Sequence, residues 1–242
     1  MKTLERCFPT AWLLDGEIGK AETQRWLRSS GVVLDLGCGE GRYLQFLLQK
    51  GIDLVAMEID EQKLKAVGPL VPRIRGDASS IPIAAEALGS VLCIYVLEHL
   101  ADARNCIAEL RRTLREGGKL FVFIPCRKSL PEVFGKSFKT FAHSWDRKSR
   151  FMTIEQDFSY REITTLLQHN GFRIIKIVHG EFAGTHLLLR IRHYNGEKLK
   201  TAHKIASYVV KRLGLNLLLQ NSAFYCVKDE LDQADITLIQ KK

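Results

Sequence analysis

The stretch VVLDLGCGEGR, Val32 to Arg42, constrains this chain more than any other. A short apolar run ends in Asp35 and then breaks into glycines at 37, 39 and 41. Glycine at every second position costs a helix or a strand stability. Its use is a sharp bend at a strand end, with backbone left open for a ligand to touch. Residues 32–36 read as a buried strand, and residues 42–50 as a helix stopped by Gly51. Strand, glycine turn and helix together make a nucleotide-cofactor turn. Two common forms of it are excluded. A dinucleotide fingerprint would place its third glycine at 42, where arginine stands, and Glu40 is a poor neighbour for a pyrophosphate. A Walker loop would continue in Gly-Lys-Ser/Thr, and this chain does not.

The same alternation runs on through the chain. Residues 52–57 read as a second strand, 60–67 as a short helix, and 73–75 as a third strand followed by a loop with Gly76, Asp77 and Pro82. Residues 90–95 read as a strand, 102–114 as a helix, Glu116-Gly117-Gly118 as a turn, and 119–124 as a strand stopped by Pro125. Ser159-Tyr160-Arg161-Glu162 has the spacing of a capping box and opens a helix to Asn170, with Gly171 beyond it. Residues 172–178 and 223–227 read as the last strands. This predicts an α/β fold built on a parallel sheet with helices on both faces. Such sheets bind ligands at the carboxyl ends of their strands, where the strand order reverses. Glu58 ends the second strand 19 residues after Gly39, near the spacing of a carboxylate that accepts from ribose hydroxyls.

At these residues the chain resembles the class I S-adenosylmethionine-dependent methyltransferases of the type 11/12 kind. VVLDLGCGEGR is similar to their glycine motif, LVAMEID to their ribose-binding strand end, and RGDASSIPI to the segment that holds the adenine. VLCIYVLEHL and LREGGKLFVFIP are similar to their fourth and fifth strand regions. The resemblance covers residues 32–125 in order. It implies a Rossmann-like, doubly wound, mostly parallel seven-stranded sheet and S-adenosyl-L-methionine as cofactor. It also implies roles. Asp35 and Gly37 would lie near the methionine amino group, with Cys38 in the same cofactor-binding set, and Gly39 would give backbone approach. Glu58 would hold the ribose, Ile59 would cover an adenine face, and Asp77 with Ala78 would hold the adenine edge. Tyr95 would sit beside the sulfonium, where an aromatic ring near a cation is favourable. One departure is Leu88-Gly89, where the family often has Phe-Asp entering the fourth strand.

Methyl transfer from a sulfonium needs the nucleophile held in line at about 3 Å with water excluded. His99 follows the fourth strand and is a candidate base or substrate orienter. His143, in the loop after the fifth strand, is a second candidate. No Asn/Asp-Pro-Pro-Tyr type turn follows the fourth strand, which favours an oxygen nucleophile or a small molecule. His179, His186 and His193 recur every seven residues with no cysteine or acid cluster beside them, so no metal is expected.

The formal net charge is +9. Residues 127–150 carry +5 of it and residues 181–221 another +5, leaving −1 for the rest. Three readings suit two such segments. One is an amphiphilic or anionic small molecule, such as a lipid-linked acceptor, with peripheral contact to an anionic membrane. Another is RNA, although no RNA-binding module or pattern accompanies the charge. The third reading is a solvated cover with no partner. The domain organisation expected is a helical N-terminal cap over 1–30, a cofactor-binding core over 31–180 with 127–150 as a basic substrate-side loop, a helical basic insertion or lid over 181–221, and a last strand and tail over 222–242. Six scattered cysteines without a CxxC pair suggest a reducing compartment. With no signal-peptide pattern, a cytoplasmic location is expected. The activity expected is methyl transfer to an oxygen or nitrogen. The alternatives are an RNA methyltransferase, a non-catalytic module of the same fold, and a dinucleotide-dependent oxidoreductase.

Overall fold

The computed structural model describes residues 26–27, 31–48, 51–125, 156, 158–182 and 219–229. Val33–Leu36 forms β1, Leu44–Leu48 α1, Leu54–Glu58 β2, Glu61–Lys65 α2 and Arg73–Arg75 β3. Leu88–Ile94 forms β4, which leads through a 3-10 turn at Leu97–His99 into α3, Ala103–Thr113. Leu114–Pro125 forms β5, Tyr160–His169 α4, Phe172–Phe182 β6 and Leu219–Lys228 β7. The seven strands make one sheet in the order β3-β2-β1-β4-β5-β7-β6. The first five are parallel, while β7 runs antiparallel to both β5 and β6. Strand order reverses between β1 and β4, so the crevice for a ligand lies beyond their carboxyl ends.

Side-chain alternation on buried strands feeds two cores. Leu120, Val122 and Ile124 of β5 join Ile107 and Leu110 of α3 and Ile163 and Leu167 of α4 on one face. Phe121 and Phe123 join Leu44, Leu47 and Leu64 on the other. Helix starts follow local chemistry. Asp60 caps α2 through the amides of Gln62 and Lys63, Asp102 caps α3, and Ser159 with Glu162 makes the expected capping box on α4.

Two expectations need correction. The helix after the glycine turn begins at Leu44 rather than at 42, because residues 39–43 stay in turns. Glu116-Gly117-Gly118 does not separate α3 from β5. It forms an irregularity inside β5, where the pairing steps from Leu88–Leu114 to Ser90–Lys119. Gly117 takes a φ of +68° there, a conformation that suits glycine. At Leu88-Gly89 the entry to β4 is secured by backbone alone. The amides of Gly89 and Ser90 both donate to the Val32 carbonyl, at 3.0 and 3.2 Å.

Strands β6 and β7 reach into both ends of segment 181–221. Their register places Pro125 beside Asn221, and Gly180 beside Asn221 from the other side. Pro125, two residues before segment 127–150, and both ends of segment 181–221 therefore lie at the sheet end that carries the glycine turn. Residues 126–155 and 183–218, the N-terminal residues 1–25, and with them His143, His186 and His193, lie outside the described residues. Among the described residues no helix is long and apolar enough to cross a membrane.

Candidate functional site

The three glycines of the turn have three different reasons to be there. A Cβ on Gly37 would stand 2.6 Å from Val96 Cγ2, and its φ is +66°. A Cβ on Gly41 would press on Leu44 at 3.1 Å and Val67 at 3.2 Å, so that glycine lets the turn pack on α1 and the segment after α2. Only Gly39 (φ +55°) has open space where its side chain would be. Of the three, Gly39 is the position where a ligand can reach the backbone.

Strand register brings the sequence-predicted residues to one sheet end. Leu36 lies level with Met57 on one side and Cys93 on the other, and Arg75 lies level with Glu58. Asp35 of β1 is 1% exposed, and its Oδ2 has no hydrogen-bond partner among the described residues. Burial, and then the nearby charge of Glu58, push its carboxyl up to about 7. Cys38 is buried in the turn, and burial followed by the charges of Asp35 and Glu58 pushes its thiol up to about 12. That thiol stays protonated and is no nucleophile.

Glu58 closes the turn. Its Oε2 accepts from the Gly39 amide at 2.9 Å, across 19 residues, and its Oε1 accepts from the amides of Ile59 at 2.9 Å and Asp60 at 3.0 Å. Ile59 beside it is 58% exposed, a large apolar side chain at the crevice edge. Asp77 follows β3, and its Oδ1 accepts from both the amide and the hydroxyl of Ser79, each at 2.8 Å. Ala78 is half-buried.

Tyr95 ends β4 with φ +55°, a strained conformation for an aromatic residue. Its amide donates to the Phe123 carbonyl at 2.9 Å, and its ring stands edge-on to Phe123 at 5.0 Å. His99 closes the turn after β4, with its amide on the Val96 carbonyl at 3.0 Å. Two residues of this region carry no sequence signal. Glu98 is 3% exposed. Gln156 donates from its amide to the Glu98 carbonyl at 2.7 Å, and from its side chain to Leu100 and Ala101 at 2.7 and 2.9 Å. These contacts cross more than 50 residues, so no local pattern reveals them.

A buried carboxylate oxygen without a partner suits a cationic ammonium. The open face at Gly39, the acid at Glu58 and the exposed Ile59 suit a ribose and a flat base beside it. The residues present therefore fit the cofactor that the glycine motif implies. Among the described residues no group of three or more His, Cys, Asp or Glu side chains gathers to hold a metal.

The part of the chain that carries these residues is similar to known proteins. Residues 34–122 match the family model described as a methyltransferase domain. A Mycolicibacterium smegmatis protein described as a probable S-adenosylmethionine-dependent methyltransferase is 27% identical over 199 residues, covering 73% of this chain and 72% of the relative. A ubiquinone biosynthesis O-methyltransferase of Xanthomonas oryzae pv. oryzae is 33% identical over 103 residues, covering 37% of this chain and 41% of the relative. The fold is shared with a SAM-dependent methyltransferase from Archaeoglobus fulgidus at a TM-score of 0.60 and 19% identity, covering 90% of this chain and 97% of that one.

Proposed function

From the premise that this chain is a class I S-adenosylmethionine-dependent methyltransferase, we propose that it methylates an oxygen or nitrogen of a small amphiphilic or anionic acceptor at an anionic membrane surface. The observation that carries the cofactor half is the buried Asp35 carboxylate, whose Oδ2 has no partner among the described residues. The acceptor half rests on charge. Segments 127–150 and 181–221 each carry +5, and Pro125, which precedes the first, lies with Gly180 and Asn221 at the carboxyl end of the sheet.

When bound, S-adenosylmethionine supplies a methyl group on a sulfonium, with a neutral thioether as leaving group. Asp35 and the Gly37–Cys38 backbone hold the methionine amino group, and Gly39 admits the ligand to the backbone. Glu58 accepts from the ribose hydroxyls. An ionised carboxylate has about four acceptor positions, and three amides already use Glu58. Taking both hydroxyls therefore requires it to release one of those amides. Ile59 covers one adenine face, and Asp77 and Ala78 hold its edge. Tyr95 presents its ring to the sulfonium, and its strained backbone fixes that placement. His99 orients the acceptor or takes its proton. His143 is proposed as a second candidate on sequence grounds alone.

Calorimetric titration with S-adenosylhomocysteine, in parallel with NADH, tests the cofactor. Micromolar binding of the first alone is expected, with Glu58→Ala weakening it by about 1–3 kcal/mol through loss of a charged acceptor. Unchanged affinity in that variant would remove the ribose role. Flotation with anionic vesicles tests the surface. Neutralising Lys204, Lys211 and Arg212 together is expected to reduce vesicle binding severalfold. Equal binding by variant and parent would end the membrane reading, and release by competing RNA would favour a nucleic-acid acceptor.

A further inference from the structure

Residues 76–87 carry Asp77 from β3 to β4, with only the Asp77–Ser80 bridge as regular pairing. What grips this loop is one face of α3. Asn105, Glu109 and Arg112 are spaced four and three residues apart, which stacks them along the helix. Asn105 Nδ2 donates to the Ser79 carbonyl at 3.0 Å. Glu109 Oε2 accepts from the Ile81 amide at 2.8 Å. Arg112 donates to the Ile81 and Ile83 carbonyls, both at 2.8 Å. The same guanidinium holds Glu109 through Nε at 2.7 Å and Nη2 at 2.8 Å.

An exposed pair three residues apart on a helix adds little stability by itself. Here two of the fork's three remaining donors go to loop carbonyls, and one oxygen of the carboxylate accepts from a loop amide. The grip passes directly to Asp77. Ser79, whose carbonyl is held by Asn105, sends both its amide and its hydroxyl to Asp77 Oδ1. One carboxylate oxygen is thereby committed and the plane of the group is set.

We propose that Asn105, Glu109 and Arg112 are positioning residues that place the Asp77 carboxylate, and so set the preference of the site for a 6-amino purine over a 6-oxo purine. This rests on the reading that Asp77 accepts from the adenine amino group. A 6-oxo purine presents a carbonyl oxygen at that point, and two acceptors facing one another repel. A loosely held Asp77 would turn away from that oxygen, whereas a fixed one cannot.

The test is calorimetric titration of the full chain with S-adenosylhomocysteine and S-inosylhomocysteine. The parent is expected to bind the adenosyl compound at least about 10-fold more tightly, and Asp77→Asn to lose that ratio. Arg112→Lys breaks the fork and Asn105→Ala frees Ser79. Each is expected to lower the ratio at least about threefold, while Arg104→Ala, on the same helix, leaves it intact. Cooperative melting of every variant is followed in parallel, and if Arg112→Lys does not fold, Asn105→Ala carries the test. No discrimination by the parent would overturn the role of Asp77 itself. If the parent discriminates and Asp77→Asn does not, a full ratio in both α3 variants overturns the positioning role alone. Equal weakening of both compounds with the ratio kept would make the α3 contacts merely structural, and also overturns it.

Discussion

At the amino end of the sheet Lys228 lies buried, with its ammonium on the Leu114 carbonyl at 2.9 Å and on Glu116 at 2.8 Å. At the carboxyl end Asp35 lies as deep, with one carboxylate oxygen that has no partner among the described residues and a carboxyl pushed up to about 7. Both ends bury a charged residue type. One surrounds it with acceptors, and the other leaves half of it unanswered. A buried charge that is paired and hydrogen-bonded belongs to the fold. One left short of partners destabilises the fold, and persists where a ligand supplies what is missing. Backbone conformation does not divide the two ends: among the described residues a positive φ outside glycine occurs at Tyr95 (+55°), beyond the carboxyl end of β4, and at Glu86 (+59°), two residues before its amino end.

Substitution of Asp35 gives the largest expected effect. Asp35→Asn should weaken S-adenosylhomocysteine binding by about 10- to 150-fold, the range for a hydrogen bond to a charged group, and should raise the melting temperature. The pH dependence follows from the same residue. Its folded value of about 7 lies above the ordinary 3.8, so the folded chain keeps a proton that the unfolded chain has released. The stability Asp35 contributes is complete below about 4 and is lost as pH rises through about 7. Binding of the ammonium runs the other way, weakening by up to about tenfold per pH unit below 7. Both slopes should vanish in Asp35→Asn. A parent whose affinity is flat between pH 5 and 8 would show that Asp35 does not meet the ligand's charge.

Lys228→Ala should give a smaller effect, of the opposite kind. Its loss strands the Leu114 carbonyl, at a cost of about 1–3 kcal/mol in chemical denaturation. Cofactor affinity should not change. A variant that melts normally but binds poorly would mean the two ends are coupled, and the contrast drawn between them would fail.

Much of the fold was legible locally. β3 falls where residues 73–75 were read, and the Ser159–Glu162 capping box forms as spaced, because caps and short strands depend on neighbours in sequence. The turn at Glu116–Gly118 was misread because glycines mark a bulge inside a strand as readily as the end of one.

In the site, the sequence alone determined which residues gather at the strand ends, since each follows its strand by a fixed count. It also determined that an acid stands 19 residues after the second glycine of the turn. Only the tertiary structure decided which glycine opens to a ligand. Gly37 and Gly41 are held by Val96 and Val67, which are remote in sequence, and Gly39 is not. Tertiary structure likewise decided that Glu58 clasps the turn, that Gln156 ties down the loop of His99, and that α3 grips the loop of Asp77. These contacts depend on which backbones the sheet brings within 3 Å, and pairing across the sheet and its helices is not written in any local pattern.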